Sequence, residues 1–145
     1  MTDSHTSLSD LLEINRDGAD FYEQAAQSVD DARLRKLFAQ LAQMKSELAS
    51  EMSDEVPAKA ARRGKPSGPV AEFQRTYADL RKNLRKPGGS QIDVLEQAEG
   101  RLHSQFQQLV LDRDQTFVVR VLAKRYLSKV DPLHREIRAR KRDLP

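Results

Sequence analysis

Apolar side chains recur every three or four residues along the first part of the chain, which is the spacing of amphipathic helices. One stripe covers about residues 7–28 and is interrupted only by the polar Asn15. Two aspartates then form a short turn, and Asp31 is placed to cap a second helix that extends to Pro57. Strands are not predicted, because sustained polar and apolar alternation is missing and β-branched residues are few.

The rest of the chain predicts a linker and three further helices. Residues 57–69 read PAKAARRGKPSGP, a basic segment rich in proline and glycine. Apolar stripes predict the three helices over residues 70–84, 92–109 and 117–137. The sequence KPGGS ends the first of them and offers Ser90 as the cap of the next. Pro132 is expected to kink or interrupt the last helix, with Asp131 as a local cap.

The lengths of the connections predict the architecture. Short turns make helices one and two antiparallel neighbours, and likewise helices four and five. The connection over residues 57–90 is long enough to run along the bundle, which gives an all-α, ferritin-like four-helix bundle with a short extra helix in the crossover. Gly18 is expected to allow close approach of that crossover helix. The chain is interpreted as one domain, 1–145, with a disordered leader (1–6), the basic linker (57–69) and a basic tail (138–145).

Composition narrows the class of protein. A chain of 145 residues, 38% hydrophobic and 32% charged, is long enough for one folded core under a highly charged surface. The absence of cysteine excludes disulfides and thiolate metal sites. The polar N-terminus is unlike a signal peptide, and no apolar run reaches the length of a membrane span. A soluble cytoplasmic protein is therefore expected.

The charges are distributed unequally along the chain. Residues 1–55 contain 12 acidic and 5 basic side chains, whereas residues 56–145 contain 10 acidic and 20 basic ones. A phosphate-binding surface is one interpretation of the basic half, although base-reading motifs and aromatic stacking platforms are missing. Its candidate anion-binding residues are Arg62, Arg63, Lys65, Arg81, Lys82, Arg85 and Lys86. The alternative is that these side chains are solvated helix faces.

Two polar residues lie on apolar stripes, Asn15 in the first helix and Glu99 in the fourth, and both are expected to be buried. A buried carboxylate requires a cation or hydrogen bonds, because burial penalises its charged form. The structural interpretation is a polar core layer in which Glu99 bonds to Asn15, Tyr22 or His134 and fixes the helix register. In that case the change Glu99→Gln is tolerated, since an amide forms similar hydrogen bonds.

Four segments of the sequence carry a family resemblance: LSDLLEINRDGADFYEQAA, DDARLRKLFAQLA, EQAEGRLHSQF and VDPLHREIR. Through them the chain resembles the ferritin-like superfamily, and more closely a bacterial four-helix-bundle family of uncharacterised function. Metal proteins of this superfamily often have a glutamate, six residues and a tyrosine on two bundle helices. In this chain the first copy is Asn15 and Tyr22, without the carboxylate. The second copy is Glu99 and Phe106, without the hydroxyl.

The resemblance implies a di-metal site that lacks half of its ligands. The Glu-x-x-His pair of the second helix falls at Lys45 and Leu48, neither of which is a metal ligand. Glu99, His134 and Asp131 are the candidate metal ligands that are left. Because a two-metal site needs bridging carboxylates, no cofactor is expected, and a single iron or other divalent ion is the alternative.

Three functions follow from these observations. The first is a non-enzymatic, ferritin-like bundle with a degenerate di-metal site that serves as a structural or interaction module, with a second copy or another protein as its partner. The first alternative is a metal-binding oxidoreductase or iron-handling protein of the same fold. The second alternative is a basic bundle that binds nucleic acid. A role in a bacterial stress response is implied by the resemblance alone.

Overall fold

The computed structural model describes residues 7–56 and 68–144, and regular secondary structure in those two stretches is entirely helical. Five α-helices follow one another, with a short 3-10 turn after the third: α1 (Leu8–Ser28), α2 (Ala32–Ser53), α3 (Gly68–Leu80), α4 (Gly89–Leu111) and α5 (Phe117–Arg142). The all-α class predicted from the apolar periodicity is therefore confirmed. Within the described residues, no helix is both long and apolar enough to cross a membrane.

Side-chain caps define where the helices begin. The Ser7 hydroxyl accepts a hydrogen bond from the first turn of α1, and the Asp31 carboxylate accepts two from the first turn of α2, as predicted. The prediction that Ser90 caps α4 is wrong. The cap is Gly88, two residues earlier, and its amide donates to the side chain of Gln91 at 2.7 Å. A glutamine three residues into the helix thus stabilises this end.

Helix α5 differs from its prediction, because it continues without interruption through Pro132 to Arg142. A proline inside a helix leaves the carbonyl four residues earlier, that of Ser128, without its helical donor. Both residues are exposed, so water can bond to this carbonyl. Asp131 does not act as a cap, and its carboxylate lies 3.0 Å from His103 on α4.

Two of the predicted segments also change their bounds. The predicted basic tail from residue 138 begins inside α5, which includes residues 138–142 as its last turns. The predicted linker 57–69 overlaps the start of α3 at residues 68 and 69, while residues 57–67 and the predicted leader 1–6 lie outside the described residues. The interpretation of the chain as one domain is still a prediction.

Side-chain contacts establish the directions of the four longer helices. Helix α1 is antiparallel to α2, because Gly18 lies beside Lys45 whereas Tyr22 packs on Phe38. Helices α4 and α5 are antiparallel as well, with His103 beside Asp131. At the other end of this pair, Lys141 bonds to Asp93 and Glu96. The two predicted hairpins are therefore present, and α2 packs against α5 to join them.

Helix α3 runs parallel to α1, along the outside of the α1–α4 side of the bundle. Successive contacts, all with α1 or the residues just after it, are Gln74 with Asp17 at 3.0 Å, Arg81 with Gln24 at 2.8 Å, and the Arg85 carbonyl with the Asp30 amide at 2.9 Å. Helix α3 thus runs antiparallel to α2, and α2 and α4 point in the same direction because both are antiparallel to α5. The predicted extra helix is therefore present as α3, packed against both α1 and α4, while the crossover as a whole includes residues outside the described ones and is still a prediction.

The core lies between these helices and is formed mostly by aliphatic and aromatic side chains. Among the described residues, the buried polar or charged side chains are Ser9, Asn15, Lys45, Glu99 and His134. Lys45 and Glu99 have opposite charges, and each lies near the middle of its helix. Because an unpaired charge in such a core is strongly destabilising, the surroundings of these two residues identify the candidate site.

Candidate functional site

Each of the five helices contributes one side chain to a buried polar group in the middle of the bundle. We call this group the polar core cluster; its members are Tyr22 (α1), Lys45 (α2), Tyr77 (α3), Glu99 (α4) and Tyr126 (α5). None of them exposes more than 2% of its surface. The cluster is therefore the place where all the helices meet, and it is closed to molecules outside the protein.

Glu99 is the centre of the cluster and uses both of its carboxylate oxygens. The Tyr22 hydroxyl donates to Oε2 at 2.7 Å, and the Lys45 ammonium donates to Oε1 at 3.1 Å. The same ammonium donates to the Tyr126 hydroxyl at 3.2 Å. One cation and one phenol thus satisfy the carboxylate that the apolar stripe of α4 carries into the core.

Aromatic rings surround the ammonium group of Lys45. Its Nζ lies 5.8 Å from the centroid of the Tyr22 ring and 5.5 Å from that of Tyr126. These distances are within the range in which an aromatic ring attracts a cation, so the rings add to the attraction of Glu99. Tyr126 is itself held by stacking on Phe106, with ring centroids 4.2 Å apart. The phenylalanine predicted to interrupt the superfamily pattern thus has a packing role in this chain.

Gly18 makes room for the lysine side chain between α1 and α2. A Cβ atom at this position would lie 3.0 Å from Cδ of Lys45 and 3.0 Å from the Tyr77 hydroxyl. Both contacts are closer than ordinary van der Waals distances, so α1 approaches α2 and α3 this closely because it carries a glycine here. The predicted close approach to the crossover helix is confirmed through Tyr77, whose ring stacks on Phe21 at 4.8 Å.

The three tyrosines of the cluster are held in their neutral form. Burial raises the pKa of Tyr22, Tyr77 and Tyr126 well above the usual value for a phenol, and the negative charge of Glu99 raises each pKa further. A neutral phenol retains the proton that Tyr22 donates to Glu99. Because all three phenols keep their protons, they are poorly suited to act as bases.

Asn15 is buried as predicted, but it does not bond to Glu99. Its Nδ2 donates to the carbonyl of Leu11 at 2.9 Å, within α1. Short polar side chains inside a helix commonly bond to a backbone carbonyl one turn earlier, and here that interaction has prevailed over a contact across the core. The Asn15 Oδ1 and the Tyr77 hydroxyl have no hydrogen-bond partner among the described residues.

The other predicted metal ligands lie on the outer side of the α4–α5 hairpin. His103 bonds to Asp131, and its ring stacks on that of His134 with centroids 5.8 Å apart, beside a surface cleft also lined by Arg135. Burial lowers the pKa of His134, although the charge of Glu99 opposes this shift, so the imidazole is neutral near pH 7. Glu99 is bonded to Tyr22 and Lys45 and does not share a ligand set with these residues.

The donor set does not fit a metal ion. Within residues 7–56 and 68–144, no group of three or more histidine, aspartate and glutamate side chains is arranged so that it could hold one. At the position that the resemblance gives to a metal-binding glutamate of the second helix, Lys45 places a positive charge against Glu99. A fixed ammonium and a metal cation would compete for the same carboxylate, and they would repel each other.

Lys45 is the member of the cluster that the sequence interpretation missed as a partner of Glu99. A signal for it exists, because Leu41, Lys45, Leu48 and Met52 follow one another at helical spacing on the buried face of α2. A lysine at such a position usually extends its amine to solvent and so looks unremarkable in a stripe. The signal that could have identified it is the buried carboxylate of Glu99 on another helix, which needs a cation, and Lys45 is a lysine on a buried face.

Of the predicted anion-binding residues that the structure describes, three interact with neighbouring side chains. Among those described, Arg81 bonds to Gln24 and lies over the ring of Phe21. Lys82 pairs with Asp79, and Arg85 pairs with Asp30 at 3.9 Å. Lys82 and Arg85 are still about 80% exposed in these pairs, so a basic surface at this end of the bundle is still a prediction. The other predicted residues of the linker, Arg62, Arg63 and Lys65, lie outside the described residues.

Residues 3–112 match a protein family described as a domain of unknown function (DUF2383). The match covers most of the chain, and the protein belongs to this family. It extends from before α1 to the end of α4 and so includes Tyr22, Lys45, Tyr77 and Glu99, whereas Tyr126 lies beyond it. No curated protein and no solved structure matches the chain.

Proposed function

We propose that this protein is a non-enzymatic, ferritin-like helical bundle that serves as a structural or interaction module, and that an internal ion pair replaces its di-metal site. The observation that carries the proposal is the Lys45–Glu99 pair, with Nζ and Oε1 at 3.1 Å and both side chains buried. The lysine supplies the positive charge that a metal ion supplies in a metal-binding bundle. A place in a bacterial stress response belongs to the proposal through the family resemblance only.

The directions of the helices support the ferritin-like part of the proposal. Helices α1 and α2 form one antiparallel hairpin and α4 and α5 a second, and α2 and α4 point the same way, with α3 packed alongside α1. A four-helix bundle with one long crossover is the arrangement found in ferritin-like folds. Helix α3 is an addition to this plan, and it contributes Tyr77 to the polar core cluster.

The chemistry of the cluster supports the non-enzymatic part. A catalytic group must come within hydrogen-bond distance of a substrate, and every ionisable member of the cluster is buried. The tyrosines retain their protons, while Lys45 and Glu99 bond to each other. These residues have the contacts expected of a structural centre, and we infer that the protein acts through its surface.

Metal titration tests this proposal against the iron-handling alternative. Protein dialysed against chelator should bind less than one equivalent of Fe(II) in calorimetry, and it should not oxidise Fe(II) faster than buffer does. The expected reason is that Lys45 already neutralises Glu99. Binding of two irons per chain with rapid oxygen-dependent oxidation would refute the proposal.

A variant gives the same test a second arm. In Lys45→Glu, two carboxylates face each other in the core, and repulsion between them is relieved by a divalent cation. We expect Mn(II) or Zn(II) to raise the melting temperature of Lys45→Glu and to leave that of the wild type unchanged. A matched change at the surface, Lys82→Glu, should give no metal-dependent shift. A metal-dependent rise in the wild type as large as that in Lys45→Glu would contradict the proposed replacement.

A further inference from the structure

The turn between α4 and α5 carries large apolar side chains that the core does not cover. We call this surface the apolar tip; its members, with their exposed fractions, are Leu111 (78%), Phe117 (77%), Val118 (48%) and Val121 (39%). Single exposed apolar side chains are common on protein surfaces. Several of them within one turn of a highly charged bundle are less common, and such patches mark interaction sites.

The helical geometry explains why these residues face outward together. The buried positions of α5 in this region include Val119, Leu122 and Ala123, and Phe117 and Val121 lie one turn apart on the opposite face. The Arg120 side chain donates to the carbonyl of Val110 at 3.3 Å and so ties the start of α5 to the end of α4. The apolar tip is therefore a surface carried by a fixed turn, and folding of the described helices leaves it exposed.

Neither of the two segments that flank α1 and α3 offers several large apolar side chains to cover the apolar tip. Residues 57–67 read PAKAARRGKPS, whose apolar members are only alanine and proline, and in residues 1–6, MTDSHT, the one large apolar side chain is Met1. A lipid surface also fits poorly. Within residues 111–121 two aspartates and two arginines cancel, whereas docking to anionic lipid relies on a surplus of basic residues.

We propose that the apolar tip binds the apolar tip of a second copy of this chain in a two-fold symmetric dimer. Such an interface is self-complementary, and the tip provides both signs of charge through Asp112, Arg113, Asp114 and Arg120. Each copy then offers apolar side chains to the other and can pair its arginines with the partner's aspartates. This inference rests on the proposed function as an interaction module, and it names the partner and the surface.

The size of the apolar tip indicates a weak and reversible dimer. A large side chain such as phenylalanine buries about 150–250 Å² when it is fully covered. The four side chains of the apolar tip are only partly exposed, so together they offer roughly 400 Å² to a partner. A stable interface buries about 800 Å² on each partner, so neighbouring polar residues must supply the rest. We therefore expect a mixture of monomer and dimer that shifts with concentration.

Sedimentation velocity over a wide concentration range tests the dimer. The wild type should change from monomer to dimer as concentration rises, and the double variant Leu111→Gln/Phe117→Gln should weaken dimerisation at least tenfold. Both residues are exposed, so circular dichroism should show unchanged helix content. The matched control is Val94→Gln, which changes another exposed apolar residue, 43% exposed, near the opposite end of α4. This control should dimerise as the wild type does.

Cross-linking provides an independent readout, since the chain has no cysteine. Val118→Cys should form a disulfide-linked dimer under mild oxidation much faster than Val94→Cys. A wild type that stays monomeric at millimolar concentration would refute the inference, as would a dimer that the double variant does not weaken. Binding to anionic vesicles that depends on the tip, without self-association, would assign the surface to a membrane instead.

The result of the dimerisation experiments can be distinguished from that of the metal titration. The apolar tip lies at the end of the bundle, and the polar core cluster lies in its middle, so variants of the tip leave the Lys45–Glu99 pair intact. A monomeric protein that binds no iron would overturn the dimer and retain the structural proposal. A dimeric protein that oxidises iron would do the reverse.

Discussion

Replacing Lys45 by methionine tests whether the ion pair of the core determines stability. Methionine has a similar length and fills the same space, but it can neither neutralise Glu99 nor donate to the Tyr126 hydroxyl. After the change, Glu99 keeps the hydrogen bond from Tyr22 and loses its cation. The variant therefore isolates the charge of Lys45 from the packing of its stem.

The expected loss follows from the geometry of the pair. Two unit charges 3.1 Å apart attract each other by about 5 kcal/mol at an effective dielectric constant of about 20. Removing each ion from water costs several kcal/mol, so the intact pair adds little net stability, whereas removing one partner leaves an uncompensated charge. Lys45→Met should therefore lower the free energy of unfolding by about 3–5 kcal/mol. Single domains have about 5–15 kcal/mol in total.

Urea denaturation followed by circular dichroism measures this loss at pH 7. The matched control is Arg125→Met, which breaks the surface pair with Glu51 at 2.8 Å, also between α5 and α2. Both members of that pair are nearly half exposed, so the control should lose less than about 1 kcal/mol. An equal effect of Lys45→Met and Arg125→Met would refute the reasoning.

The double variant Lys45→Met/Glu99→Leu, measured together with the single variant Glu99→Leu, completes a double-mutant cycle. It removes both charges, and it should recover most of the stability that Lys45→Met loses, because apolar groups of similar volume often replace a buried pair without loss. The sequence alone predicted that Glu99→Gln is tolerated. The structure changes this expectation, since the amide would leave the ammonium of Lys45 without a counter-charge. A double variant as unstable as Lys45→Met would show that the loss comes from packing.

Two further predictions concern the surroundings of the ion pair. Gly18→Ala should lower the free energy of unfolding by about 1–2 kcal/mol, because the new Cβ atom would press on Lys45 and Tyr77. A Cβ atom at Gly100 would have no neighbour within 4 Å, so Gly100→Ala should raise the free energy of unfolding by up to about 1 kcal/mol in the same urea assay. The three tyrosines of the chain all lie in the polar core cluster and have raised pKa values. Above pH 10 the unfolded chain therefore loses these protons while the folded chain keeps them, and the free energy of unfolding should fall by up to about 4 kcal/mol per pH unit. Tyrosinate absorbance should then rise together with the loss of helix. Gradual ionisation in the folded protein, or a gain from Gly18→Ala equal to that from Gly100→Ala, would contradict these predictions.

Much of the fold follows from the sequence because the helices are amphipathic and their turns are short. The stripe that contains Phe38 and Leu41 can be buried only on one face, and Asp31 marks the start of its helix unambiguously. The continuation of α5 through Pro132 could not be predicted in this way. Local rules favour an interruption there, and buried positions on both sides of the proline, such as Val130 and Ile137, hold the helix together through tertiary packing.

The candidate site was predictable in part for a related reason. Glu99 and Tyr22 lie on the buried faces of their helices, so their burial follows from spacing alone. Their partners depend on which helix lies opposite and on how each side chain turns. Asn15 bonds within its own helix, and Lys45 points inward although most lysines reach solvent. The preference of a side chain between two available partners is decided by the assembled core.

The polar core cluster also gives a reason why this bundle keeps one alignment of its helices. Apolar stripes tolerate sliding, because one leucine can pack where another did, and a shift by one helical turn moves a side chain by about 5.4 Å. Such a shift of α4 would take Glu99 out of hydrogen-bond distance of both Lys45 and Tyr22, and two buried charges would be left apart. We infer that the pair selects the register more than it adds stability. The surface of the bundle, including the apolar tip, then has a fixed shape because its core permits only one arrangement.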